Sequence, residues 1–125
     1  MESGIRELST WKSLPPKKVP GWLEAAVRFH SSQMDVPNKV VTIDCDGLDS
    51  ELKFHCALGE AVNGPGGYFG RGLDGLSDCF CGGFGVIGKF TLNWLNHEVY
   101  KNRFPEYFDS IVEVFKSRNM TLNLG

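Results

Sequence analysis

The alternation of apolar and polar positions divides the chain into seven predicted elements. Trp22 to Gln33 places Trp22, Ala25, Ala26 and Phe29 on one stripe at helical spacing, an amphipathic helix that Pro37 and Asn38 stop. Lys39–Cys45 (KVVTIDC) is β-branched and almost wholly apolar, which predicts a strand covered on both faces. Asp49-Ser50 offers a cap for a helix running through Leu52, Phe54, Leu58 and Val62 and ending at Asn63-Gly64-Pro65. A glycine-rich turn, GPGGYFGRG, then leads into a short helix near residues 72–82. In Phe90–Trp94 the apolar Phe90, Leu92 and Trp94 alternate with Thr91 and Asn93, as in a strand with one buried face. Pro105 opens a helix bearing Tyr107, Phe108, Ile111, Val114 and Phe115, and Met120–Leu124 alternates again as a closing strand. Ahead of all these, residues 1–20 end in LPPKKVP, which resists regular structure.

The order is α, β, α, α, β, α, β. Helices separate the strands, so the predicted class is α/β, a small parallel sheet with helical cover. The 125 residues suit one domain, with a core large enough to need no staples. No apolar run approaches the roughly 18 residues that span a membrane. The opening MESGIREL has no apolar stretch of the secretory kind, so the expected compartment is the cytoplasm. The four cysteines, Cys45, Cys56, Cys79 and Cys81, are accordingly expected as reduced thiols.

Charge is uneven. Residues 1–34 hold five basic and three acidic side chains, residues 35–98 four basic and nine acidic, and residues 99–125 four basic and three acidic. An acidic middle argues against nucleic-acid binding, which needs cations for phosphates, and suits a basic protein partner.

Several motifs resemble chemistry without its context. Gly70-Arg71-Gly72-Leu73-Asp74-Gly75 fits G-x-G-x-x-G, but a turn rather than a strand precedes it, and Asp74 would face a pyrophosphate. Gly83–Lys89 nearly spells a phosphate loop, but Phe90 stands where a hydroxyl is required and a strand follows. His55, Cys56, Cys79 and Cys81 lack zinc-ligand spacing, so no metal or other cofactor is expected. Cys79 with His55 as its base is the one candidate for a hydrolase pair. Asn119-Met120-Thr121 is a glycosylation sequon within a predicted strand of a cytoplasmic chain.

The segment Tyr68–Phe80 carries more. On a helical wheel Leu73, Leu76 and Phe80 face one side, toward the core, while Asp74 and Asp78 fall nearly opposite, one turn apart. Like charges at this spacing cost a helix about 0.2–0.5 kcal/mol, which Asp74 partly recovers near the helix N-terminus. Tyr68 beside them reads as an exposed aromatic on a glycine-rich loop that a partner can approach closely.

At these residues the chain resembles the barstar family, intracellular inhibitors of the ribonuclease barnase. YFGRGLDGLSDC is similar to the family's aromatic pair, glycine and short helix with two aspartates, and the likeness extends over about Val40–Leu124 through FTLNW and IVEVFKS. It implies a three-stranded parallel sheet packed by helices over residues 37–125, with residues 1–36 as an extension carrying the additional N-terminal helix. It also implies a protein that is not an enzyme and that plugs a nuclease active site as a monomer. Asp78 is then the main anchor and Asp74 the second, with Tyr68 and Gly70 contacting from the loop. The carboxylates stand in for RNA phosphates before the enzyme's cationic groups. The chain departs from the family pattern at Ser77 and near Gly83, where tryptophans are expected, and at Arg71 and Ser117, where acids are. The contact surface implied here comprises Asp78, Asp74, Tyr68, Gly70, Arg71, Ser77 and Gly82, and Gly82, Gly83, Phe84 and Gly85 are candidates for a replacement rim. The alternatives are a non-nuclease interaction module and the Cys–His hydrolase. The extension is expected to cover the sheet or its helices, or else to touch the partner.

Overall fold

β2 (Val86–Leu95) is the central strand of a three-stranded parallel sheet, flanked by β1 (Val36–Asp44) and β3 (Thr121–Leu124). The structure, a computed structural model, describes residues 10–28 and 35–124. Helices α1 (Val19–Arg28), α2 (Lys53–Asn63), α3 (Leu73–Cys79), α4 (His97–Arg103) and α5 (Pro105–Ser117) surround the sheet in the chain order α1, β1, α2, α3, β2, α4, α5, β3. The α/β class and the three-stranded parallel sheet expected from the pattern are what the chain forms.

Burial alternates along the strands. Val41 and Ile43 of β1 and Phe90, Leu92 and Trp94 of β2 are buried, while Val40 just before Val41 is 59% exposed and Thr42 between Val41 and Ile43 is exposed too. The expectation that β1 is covered on both faces is therefore corrected: the helices bury one face of it. The other face is polar where the strands register. Asn93 donates to Thr42 Oγ1 at 3.4 Å and accepts from Asn123 at 2.9 Å, a ladder across all three strands.

Pro37 and Asn38 do not end a helix. They lie within β1, an edge strand that tolerates a missing N–H. Asn38 takes a left-handed φ of 56° where the register with β2 slips. LPPKKVP is more ordered than expected: Thr10–Ser13 and Pro16–Lys18 form 3-10 turns, and α1 begins at Val19 rather than Trp22. Its buried residues are Val19, Leu23 and Ala26, with Trp22 half-buried and Ala25 exposed, while Phe29 and the expected continuation to Gln33 lie outside the described residues. The short helix α4 was not foreseen. It starts after Asn96, itself left-handed at φ 57°, and its one buried residue is Tyr100.

Residues 10–19 pack on the domain. Trp11 and Val19 are buried, and Lys53 at the start of α2, 1% exposed, donates to Lys12 O at 2.7 Å and Leu14 O at 2.8 Å while pairing with Asp49 at 2.7 Å. The Lys53 hydrogen bond holds the Asp49 carboxyl below its ordinary pKa.

Two aromatic groups fill the core. Phe54, Tyr100 and Phe108 surround Trp94, with centroids 4.8, 5.5 and 5.1 Å from it. Phe69, Phe80, Phe90 and Phe115 form the second group, with centroid separations from 5.3 to 6.2 Å. Phe69 precedes α3 and Phe80 follows it, so this second group fixes both ends of that helix against β2 and α5. Among the described residues no helix is long and apolar enough to cross a membrane.

Candidate functional site

α3 is seven residues long and has no side-chain cap, so its place is set by packing rather than by intrinsic helix stability. Leu76 and Cys79 are its buried residues, and Phe80 is buried just beyond, as the wheel requires, while Leu73 is half-buried. Asp74 and Asp78 are exposed on the opposite side. Among the described residues, neither carboxylate has a hydrogen-bonded or ion-paired partner. Both line a concave surface of about 520 Å³, together with Tyr68, Arg71, Gly72, Leu73 and Gly75.

Of the seven residues singled out in the sequence, four thus share one surface: Asp74, Asp78, Tyr68 and Arg71. Gly72, Leu73 and Gly75 join them, and only their positions between the marked residues could have signalled it. Tyr68 differs from expectation. It is buried, at 6% exposure, and lends little of its surface to the concavity. Asn63 at the end of α2 explains this. Its Nδ2 donates to Tyr68 O and to Phe84 O, both at 2.8 Å, drawing the loops before and after α3 together. The ring packs edge-on against Phe84, with centroids 5.6 Å apart. Burial raises the phenol's pKa, assisted by the neighbouring Cys79 and Asp78 charges and opposed by Arg71.

The other three lie off the concave surface. Gly70 is buried with φ 95°, and a Cβ there would come 2.7 Å from Leu76 N, so this glycine lets the loop lie flat against α3. The Ser77 hydroxyl accepts from Arg118 Nε at 2.9 Å, which ties the flank of α3 to the end of α5. Gly82 belongs to the loop after α3, which Asp35 holds by accepting the N–H groups of Gly83 at 2.9 Å and Gly85 at 3.1 Å.

One charged contact reaches the surface from outside the motif. Glu24 of α1 forms an ion pair with Arg71.

The candidate hydrolase pair finds little support. Cys79 is buried and its thiol is pushed up to about 12, which leaves almost no thiolate at neutral pH. His55 is fully buried, its Nε2 lies 2.7 Å from the Tyr107 hydroxyl, and burial lowers its pKa to about 3. Cys45 and Cys56 are likewise buried and raised to about 12, Cys81 is exposed, and all four thiols are free. Among the described residues no three His, Cys, Asp or Glu side chains are grouped to hold a metal ion.

Comparison with known proteins bears on the family. A stretch of 38 residues, 30% of the chain, is 45% identical to part of the phosphomethylpyrimidine synthase of Desulfotalea psychrophila. The chain spans only 9% of that protein's length, too little to transfer a fold or a reaction. The family described as Barstar (barnase inhibitor) matches residues 38–123, from β1 through α3 to the last strand. The chain therefore belongs to the barstar family.

Proposed function

We propose that this protein inhibits a ribonuclease by inserting the outer face of α3 into the enzyme's active site. The observation that carries the reading is the pair Asp74 and Asp78, exposed one turn apart on a concave surface and free of partners among the described residues. A ribonuclease holds RNA phosphates with arginine, lysine and histidine, and two preplaced carboxylates meet the same groups with charge-assisted hydrogen bonds. Asp78 is the main anchor and Asp74 the second, while Tyr68 and Gly70 shape the loop beside them. Arg71, Ser77 and Gly82 border this face and adjust which enzyme fits. The partner is a basic ribonuclease of secreted or toxin type, and the inhibitor acts as a monomer in the cytoplasm of the cell it protects.

Inhibition of barnase by the parent, Asp74→Ala and Asp78→Ala tests the reading, with Leu76→Ala as a control for folding. Asp78→Ala abolishes most of the inhibition with an unchanged melting midpoint, and Asp74→Ala does so to a lesser degree. Leu76→Ala, which empties a fully buried site, loses stability first, by about 2–5 kcal/mol. Inhibition that survives Asp78→Ala undiminished rejects the phosphate-mimic reading.

A further inference from the structure

The Glu24–Arg71 ion pair joins residues 47 positions apart, and its side chains are 53% and 55% exposed. Arg71 sits on the same concave surface as Asp74 and Asp78. Gly70 and Gly72 flank it and supply no side chain to screen it. A bare guanidinium at this point would meet a basic enzyme as a like charge, which slows encounter and costs affinity. A carboxylate bound to it cancels most of that repulsion and leaves the two aspartates to set the sign of the surface. Arg118, hydrogen-bonded to Ser77 on the flank of α3, is a second cation near this face, which makes the cancellation at Arg71 matter more.

The carboxylate comes from α1, outside residues 38–123 that match the family. α1 is no loose appendage, since Val19, Leu23 and Ala26 are buried and the turns before it are tied down by Lys53. Resting on the ribonuclease reading above, we infer that α1 is a working part of the partner surface: Glu24 masks Arg71 and so determines which basic nuclease the protein accepts. The favoured enzyme is cationic opposite Asp74 and Asp78 and tolerates a neutral pair at the rim.

Association and dissociation rates against barnase, at low and high ionic strength, decide this for the parent, Glu24→Gln, Arg71→Gln, the double variant and Asp78→Ala. Glu24→Gln exposes the guanidinium and lowers the association rate by about three- to tenfold. Arg71→Gln frees the carboxylate and raises the rate, and the double variant returns close to the parent. All three differences shrink at high salt, and the melting midpoints stay nearly constant because exposed ion pairs contribute little to folding. If Asp78→Ala destroys binding while Glu24→Gln changes nothing, the masking role alone is wrong. Weaker binding by Arg71→Gln also overturns it, because Arg71 would then itself contact the partner. Barnase bound equally by the parent and Asp78→Ala removes the phosphate-mimic reading and the masking role with it.

Discussion

Lys53 opens α2, Asp74 and Asp78 stand on α3, and the fold treats these charges in opposite ways. The ammonium of Lys53 is 1% exposed and spends its three donors on Lys12 O, Leu14 O and Asp49. The two aspartates are exposed and, among the described residues, satisfied by no protein group. A buried cation keeps its charge only where every proton finds an acceptor. Charges left open, side by side and of one sign, do nothing for folding and are available to a partner. Lys53 thus belongs to the architecture, whereas the aspartates are left open for the partner proposed above.

The largest effect that tests this contrast is on binding. Truncating one partner of a buried charge pair costs about 2–5 kcal/mol of affinity, a range that already counts the barnase–barstar complex among its sources. Asp78→Ala is expected to show a loss of this order in the affinity for the nuclease. Its melting midpoint should match the parent's, and a large fall in that midpoint would place Asp78 with Lys53 among the structural charges.

Next in size is the response to acid. His55 is buried neutral with its pKa lowered to about 3, and its Nδ1 is unpartnered among the described residues. The unfolded chain takes up this proton near pH 6.5 and the native protein only near pH 3, so the contribution is complete above the first value and lost as pH falls through the second. Chemical denaturation between pH 7 and pH 4 should therefore show stability falling by up to about 1.4 kcal/mol per pH unit. A His55→Gln variant should flatten that fall, and an equal slope in parent and variant would show that His55 does not govern it.

Lys53→Met ranks third. It leaves the Lys12 and Leu14 carbonyls without their donor, and unsatisfied acceptors cost about 1–3 kcal/mol, less where water reaches them. Denaturant titration reads the loss, while nuclease binding of the folded fraction should be unchanged. Reduced affinity at constant stability would blur the division between the two regions. The smallest effect is that of salt. Raising ionic strength should slow association with the nuclease and leave the melting midpoint and the dissociation rate nearly as they were.

How far these features can be read from the chain depends on the range of the contacts that make them. Asp74 and Asp78 were legible because four residues is one helical turn and Leu76 and Phe80 mark the opposite side. The parallel order of the sheet was legible from helices falling between alternating strands. Tyr68 was misjudged because Asn63 fixes its backbone while also holding Phe84 O, 21 positions from Asn63, a partner no local pattern marks. Lys53 sits in an ordinary helical stretch, and its burial depends on carbonyls about 40 positions earlier. The run KVVTIDC suggested a doubly covered strand because β-branched residues suit either face, and a polar ladder through Thr42 shows which face is open only when its neighbours are placed. Glu24 and Arg71 are likewise unremarkable apart and informative together.

The slip at Asn38 bears on how the border of the sheet is guarded. A three-stranded sheet has two borders, and an unguarded border recruits strands from other copies into aggregates. β3 is only four residues long, which offers little template. β1 is nine residues, but its second, Pro37, has no amide hydrogen to donate, and Asn38 takes the backbone out of register immediately afterwards. A border interrupted in this way is a poor template for a strand from another copy.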